Sequence, residues 1–189
     1  MNRNHARNTH NIVSRYLNQY IKKGYICLDA TIGNGNDIYT IARLVGENGK
    51  VYGFDIQELA INNTRKLLKS HDILDRAIII RDSHENIDTY IEDKLNFIIY
   101  NLGYLPKGDK SIKTRKDSTS ISIKKALKLM AVNSIMLITA YVGHPGGLEE
   151  NITVNNLLNS LDQREFNVIK YEFINQRNSP PLLYAVEKL

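Results

Sequence analysis

Asp29-Ala30-Thr31-Ile32-Gly33-Asn34-Gly35-Asn36-Asp37 is the stretch on which the fold turns. It follows the apolar run Tyr25-Ile26-Cys27-Leu28 and opens a helical pattern from about Asp37 to Val45, which Gly46 closes. A buried strand, a glycine-containing turn and a helix in that order make a unit of a parallel α/β sheet, and ligands of such sheets sit at the carboxyl ends of the strands. Glycines there let the backbone bend tightly and come close to a ligand.

Working outward, apolar runs alternate with helical patterns. The spacing of Ile12, Val13, Tyr16, Leu17, Tyr20 and Ile21 predicts a helix over about 6–22, with Gly24 stopping it. Strands are expected at about 25–30, 50–55, 77–81, 96–101, 134–140, 166–174 and 182–187. Helices are expected at about 58–70, near 85–92, from a cap at Thr119 or Ser120 to about Met130, and at about 148–161. Glu149-Glu150 reads as the start of that last helix, complementing its dipole. The link holding Asn175, Asn178, Ser179, Pro180 and Pro181 is short enough for a closing antiparallel pair. Strand order is not readable from periodicity, but seven strands with a terminal hairpin fit a Rossmann-like class I methyltransferase sheet: mostly parallel, with helices on both faces. All 189 residues fit one domain, with residues 1–23 as an N-terminal helix.

Bulk properties narrow the class. Hydrophobic residues make up 42% and charged residues 24%, the balance of a soluble globular protein. No apolar run approaches the roughly 18–20 residues that span a bilayer. Met1 to His10 is polar and lacks the apolar core of a secretory signal, so a cytoplasmic location is expected. The one cysteine, Cys27, excludes an internal disulfide and a cysteine metal cluster, and it reads as a small buried hydrophobe. His5, His10 and His71 lack metal-ligand spacing, and no metal is expected. The net charge of +5 is uneven. Between Lys107 and Lys128 stand Lys107, Lys110, Lys113, Arg115, Lys116, Lys124, Lys125 and Lys128, opposed only by Asp109 and Asp117. The stretch suits a polyanion such as RNA, or equally a solvated loop and helix face.

Acidic residues end three successive strands. Asp29 can face the ammonium of a methionine moiety, with Thr31, Gly33, Asn34, Gly35, Asn36 and Asp37 forming the loop around it. Asp55, 26 positions later and followed by Ile56-Gln57, can accept from both hydroxyls of a ribose. Asp82, followed by Ser83-His84, can accept from an adenine amino group. Each alone reads as well as a cap or turn residue; together they point to a nucleoside cofactor. The dinucleotide fingerprint needs glycine or alanine where Ile38 stands, and Asp37 would repel a pyrophosphate. S-adenosyl-L-methionine carries positive charge and no phosphate, so the acidic rim favours it over NAD.

The fourth strand ends in Asn101-Leu102-Gly103-Tyr104-Leu105-Pro106, similar to the Asn-Pro-Pro-Tyr signature of methyltransferases acting on nitrogen. The Asn101 side-chain oxygen and the Leu102 carbonyl can direct the N–H groups of an attacking amine. Tyr104 can pack on substrate or sulfonium. Such catalysis is mainly positioning. An asparagine-glycine turn with a core tyrosine is the plain alternative. In Tyr141-Val142-Gly143-His144-Pro145-Gly146-Gly147, Tyr141 and His144 can contact a base or tune the amine, or simply support the turn.

With these phrases, and with Asn175, Pro180-Pro181 and Glu150, the chain resembles the bacterial tRNA 5-aminomethyl-2-thiouridine methyltransferases, the MnmM family, earlier labelled rRNA-methylase-like, over about residues 10–189. Asn36 departs from the family's common histidine. The resemblance implies methylation of the aminomethyl nitrogen on the wobble uridine. It also implies tRNA as partner, with Lys113, Arg115 and Lys116 meeting anticodon stem-loop phosphates and Tyr104 and Tyr141 meeting splayed bases. A homodimer is a candidate assembly. Competing readings are a methyltransferase of rRNA or a small amine, an NAD-dependent oxidoreductase, and a non-catalytic RNA-binding module.

Overall fold

The computed structural model describes residues 8–105 and 113–189. The expectations at Met1–Arg7, Pro106, Lys107, Asp109 and Lys110 lie outside the described residues. The strands β1 (Ile26–Asp29), β2 (Lys50–Phe54), β3 (Ala77–Ile80), β4 (Leu95–Leu102), β5 (Met130–Ala140), β6 (Phe166–Tyr171) and β7 (Leu182–Lys188) form one sheet in the order β3-β2-β1-β4-β5-β7-β6. β1 to β5 run parallel, and β7 is antiparallel to both β5 and β6. The seven strands and the closing antiparallel pair are as the sequence pattern predicts, and the structure adds the strand order, which periodicity left open.

The chain winds outward from β1 to β3 on one side and from β4 to β5 on the other. The crevice between β1 and β4 is therefore the topological switch point, where such sheets bind ligands. Both faces are covered. On one face α1 (Thr9–Tyr20), α2 (Asn36–Val45) and α3 (Glu58–Ser70) pack Val13, Leu17, Ile38, Ile41, Val45, Ile61 and Leu68 against Cys27, Phe97 and Ile99. On the other, α4 (Ile87–Tyr90), α5 (Lys116–Leu129) and α6 (Gly147–Asn159) pack Ile87, Ile123, Ala126, Val154 and Leu158 against Leu28, Ile98 and Tyr100. Double coverage is why β1 and β4 read as near-continuous apolar runs rather than as alternating ones. Full burial of each large aliphatic side chain contributes about 1.5–3 kcal/mol; truncating Ile41, fully buried in α2, to alanine costs about 2–5 kcal/mol.

Several boundaries differ from the sequence expectation. α5 begins at Lys116, after extended Arg115, rather than behind a cap at Thr119 or Ser120. Thr119 is buried inside the helix, where its hydroxyl donates to Glu150 Oε1 at 2.6 Å. β5 starts at Met130, directly after α5. β6 ends at Tyr171, and Ile174, expected in the strand, is 95% exposed. α1 starts at Thr9, where the side chain of Asn8 accepts from Asn11 N, and it ends at Tyr20, ahead of Gly24.

Candidate active site

At the end of β1 the chain turns through Gly35, whose left-handed backbone (φ +83°) carries it into α2. A Cβ there would stand 2.8 Å from Thr64 Oγ1 and 3.1 Å from Thr64 Cα, so only glycine lets α2 sit this close to α3. Gly35 thus shapes the loop from behind and does not face the crevice. Asp55, at the end of β2, clamps the loop from the front. Its Oδ2 accepts from Gly33 N at 3.0 Å and its Oδ1 from Gln57 N at 2.9 Å. Burial pushes the Asp55 carboxyl above its ordinary pKa, against those backbone bonds.

The loop and the strand ends border a cavity of about 740 Å³. Thr31, Gly33, Asn34, Asn36, Asp37, Asp55, Ile56, Gln57, Asp82, Ser83, His84, Asn101, Tyr104, Lys113, Tyr141 and His144 all line it, so the structure gathers most of the residues singled out above. Five stand apart. Gly35 packs on Thr64. Asp29 is fully buried beneath the loop, where Oδ1 accepts from Thr31 N at 3.2 Å and Oδ2 has no partner. Leu102 is buried, and its carbonyl accepts from Tyr141 N at 3.1 Å. The sheet uses the group that was expected to direct the amine. Arg115 and Lys116 are exposed at the start of α5, outside the cavity.

Asn101 is held at two points. Its backbone N–H donates to Thr31 Oγ1 at 2.7 Å and its Nδ2 to Asp37 Oδ2 at 2.8 Å. Because a carboxylate only accepts, the second bond sets which way the amide lies and leaves Oδ1 as the atom able to accept from a ligand. This pair spans 64 residues, and nothing in local spacing announces it. Asp37 also acts on its neighbours. Burial, then Asp37, then Asp55 keep the Asp29 carboxyl well above the usual carboxylate range. Burial, with Asp37 adding to it, pushes the Tyr141 phenol up.

At the adenine end, Asp82 accepts from Ser83 N at 2.7 Å, from Asn86 Nδ2 and from Tyr90 OH at 2.9 Å. Burial raises its carboxyl pKa, but the bonds outweigh burial and leave it below the ordinary value. His84 is pushed down to about 4 by burial and is neutral at physiological pH.

Two loops close the other side. Tyr104 pairs with Lys113 in an isolated antiparallel bridge, and Thr114 N donates to Gly103 O at 2.9 Å. Lys113 Nζ donates to Pro145 O at 2.6 Å, and the Tyr104 and His144 rings meet edge to face at 5.8 Å. His144 Nδ1 donates to Pro145 O at 3.1 Å, so in the neutral ring Nε2 carries the lone pair; it is buried and unpartnered. Gly147 permits the return, since a Cβ there would lie 2.5 Å from Tyr141 O. Beneath, Glu150 Oε2 accepts from Thr114 at 2.8 Å and Oε1 from Thr119. Glu150 does stand in the first turn of α6, yet it is 1% exposed and works as an anchor. His10, Ser179 and Pro181, from opposite ends of the chain, also border the cavity. Among the described residues no group of three His, Cys, Asp or Glu side chains could hold a metal ion, and no helix is long and apolar enough to cross a membrane.

Residues 51–187 match the family model described as "Putative rRNA methylase". The chain belongs to this methylase family. It is 31% identical over 186 residues to the chloroplastic tRNA (mnm(5)s(2)U34)-methyltransferase of Arabidopsis thaliana; the match covers 90% of this chain and 66% of that relative's length. A Clostridium thermocellum crystal structure of the same methylase description shares 43% identity, with a TM-score of 0.95, 97% of this chain covered and 98% of that one. A Streptococcus mutans methyltransferase-type structure in complex with SAH shares 36% identity, with a TM-score of 0.87, 95% of this chain covered and 97% of that one. The methylase fold thus accounts for the architecture over almost the whole chain.

The residues present suit S-adenosyl-L-methionine. Asp37 and Asp55 line the cavity and lie close enough to raise the Asp29 carboxyl behind them, and neither is in an ion pair among the described residues. A cationic ligand relieves such a cluster, whereas a pyrophosphate aggravates it. Ile38, at the position where a dinucleotide turn needs a small residue, is fully buried under Gly53.

Proposed function

We propose that this single-domain chain is an S-adenosyl-L-methionine-dependent N-methyltransferase of the tRNA wobble uridine, converting 5-aminomethyl-2-thiouridine to 5-methylaminomethyl-2-thiouridine in the cytoplasm. The observation that carries this reading is the Asn101 amide, turned by Asp37 so that Oδ1 is its ligand-facing acceptor, beside the paired rings of Tyr104 and His144.

S-adenosyl-L-methionine, when bound, supplies an electrophilic methyl group on a positively charged sulfur. Asp55, Gln57 and Asp82 would hold its nucleoside, and the loop from Thr31 to Asp37 its amino-acid end. Asn101 Oδ1 accepts one N–H of the substrate amine and so restricts the directions in which the nitrogen lone pair can point. Tyr104, whose ring is 40% exposed, offers a face to the uracil. The amine arrives neutral, forms the new N–C bond as the C–S bond breaks, and gives its extra proton to water. The work asked of the protein is orientation, and near-attack positioning of this kind supplies up to about 7–11 kcal/mol of barrier lowering. The exposed Arg115 and Lys116, with Lys124 and Lys128 further along α5, meet anticodon stem-loop phosphates.

The similarity to the Arabidopsis tRNA enzyme supports this substrate, and the family description supports an rRNA substrate instead. The test is incubation of the purified chain with S-adenosyl-L-methionine and either tRNA lacking only the last methyl, deproteinised rRNA, or a free aminomethyl nucleoside, followed by nucleoside mass spectrometry. A methyl gain on the wobble uridine of tRNA is expected. Transfer to rRNA or the free amine but not to tRNA overturns the reading, as does tRNA binding with no transfer to any substrate.

A further inference from the structure

Beside Tyr141 a smaller notch of about 200 Å³ adjoins the cavity, and nothing in the reaction above uses it. It is bordered by Phe173, Gln176, Pro180 and Pro181 from the β6–β7 link, and by Asn8, Thr9 and His10 from the start of α1. Tyr141, His10 and Pro181 border both spaces, so the two adjoin.

We propose, on the basis of the RNA methylation reading above, that this notch binds the base of an unpaired nucleotide next to the target residue. The lining argues for a neutral planar occupant. Among the described residues that line it there is no carboxylate, unlike the donor cavity, so the lining does not favour a second cation. Among the described residues that line it there is no lysine or arginine, and His10 is the one side chain able to carry positive charge, so the lining does not favour a phosphate. What it offers is aromatic and proline surface for stacking and the exposed Gln176 amide, which makes no hydrogen bond within the described residues and can pair with a base edge. A volume of this size takes one base and no more. A substrate with its target base in the main cavity carries its neighbour past Tyr141 by covalent connection.

The walls are built rather than loose. Thr9 Oγ1 donates to Pro181 O at 3.1 Å, and Tyr16 and Tyr171 share a 2.7 Å hydroxyl bond, tying α1 to both ends of the β6–β7 link. Asn178 and Ser179 hold left-handed backbone (φ 67° and 50°), which asparagine adopts readily in turns and serine less often. Ser179 borders the main cavity and Pro180 the notch, so this turn sits between the two spaces.

The test uses the whole chain, S-adenosyl-L-methionine and stem-loop RNAs carrying the target nucleoside, intact or with an abasic residue on its 5′ or 3′ side. Loss of one base–aromatic stack predicts that Phe173→Ala raises KM for intact RNA about tenfold or more, with the loss in KM rather than kcat. Wild-type protein should lose a similar factor on one of the two abasic RNAs, and Phe173→Ala should no longer distinguish that RNA from the intact one. Gln176→Ala, at an exposed position that leaves folding intact, should relax preference among bases at the same neighbour. Unchanged KM in both variants, or full additivity of Phe173→Ala with each abasic change, overturns the proposal while RNA methylation stands. No methyl transfer by wild-type protein to any RNA overturns the functional reading, and this one with it.

Discussion

Replacing Asp37 with alanine removes the acceptor that holds the Asn101 amide and leaves the Asn101 backbone bond to Thr31 in place. A hydrogen bond to a charged group contributes about 1.5–3 kcal/mol. Asp37 is half-buried, so water screens it and the lower end applies. If that energy acts through Asn101, about 1.5 kcal/mol becomes roughly a tenfold fall in kcat. Asp37→Asn keeps an acceptor oxygen but loses the charge, and should fall about threefold, since neutral bonds have roughly half the strength. The assay is single-turnover methyl transfer to a modified stem-loop RNA at saturating cofactor, with cofactor affinity measured separately by calorimetry. Asn101→Ala alone should show the larger loss, and the double variant should be no slower than Asn101→Ala, because the two side chains act as one unit. Additive losses, or a loss in Asp37→Ala explained entirely by weaker cofactor binding, would refute the reasoning and make Asp37 a binding residue only.

Glu150→Ala leaves the buried Thr119 hydroxyl and the half-buried Thr114 hydroxyl without their acceptor, which costs about 2–4 kcal/mol and lowers Tm by roughly 5–15 °C; a thermal scan matching wild type would show that the anchor carries no load. Asp29 keeps its proton in the fold at pH values where the unfolded chain, with the ordinary value of 3.8, has lost it. The native state therefore binds more protons, and stability declines as pH rises from about 4 through the raised folded value. Asp29→Asn should flatten that decline in the cofactor-free protein, and parallel Tm-against-pH curves would contradict the assignment. Neutralising Arg115 and Lys116 should weaken RNA binding at low salt and flatten the log–log salt slope by roughly 1.4–1.8, with an unchanged slope removing both from the interface.

The strands were legible because burial on both faces makes them continuous apolar runs, as in Phe97-Ile98-Ile99-Tyr100. The start of α5 was not. Ser118-Thr119-Ser120 imitates a cap, but the Thr119 hydroxyl is committed to Glu150, 31 residues away. β6 was read too long because Phe173 and Ile174 are apolar; Phe173 lines the notch and Ile174 faces solvent. The acidic strand ends were legible because β1, β2 and β3 each deliver one locally. Asp37 and Asn101 were not legible as partners, nor His10 and Ser179 as borders of one cavity, because residues brought together from distant parts of the chain leave no periodic trace.

The alternation along β4 has one more consequence. Phe97 and Ile99 point into one core, Ile98 and Tyr100 into the other, and Asn101 follows as the next member of the first series. A slip of one residue along β4 would bury the amide and swing Leu102 toward the reacting atoms. The fidelity of the chemistry is therefore guarded by hydrophobic groups that never meet substrate, and an insertion or deletion inside this strand should abolish turnover even where the chain still folds.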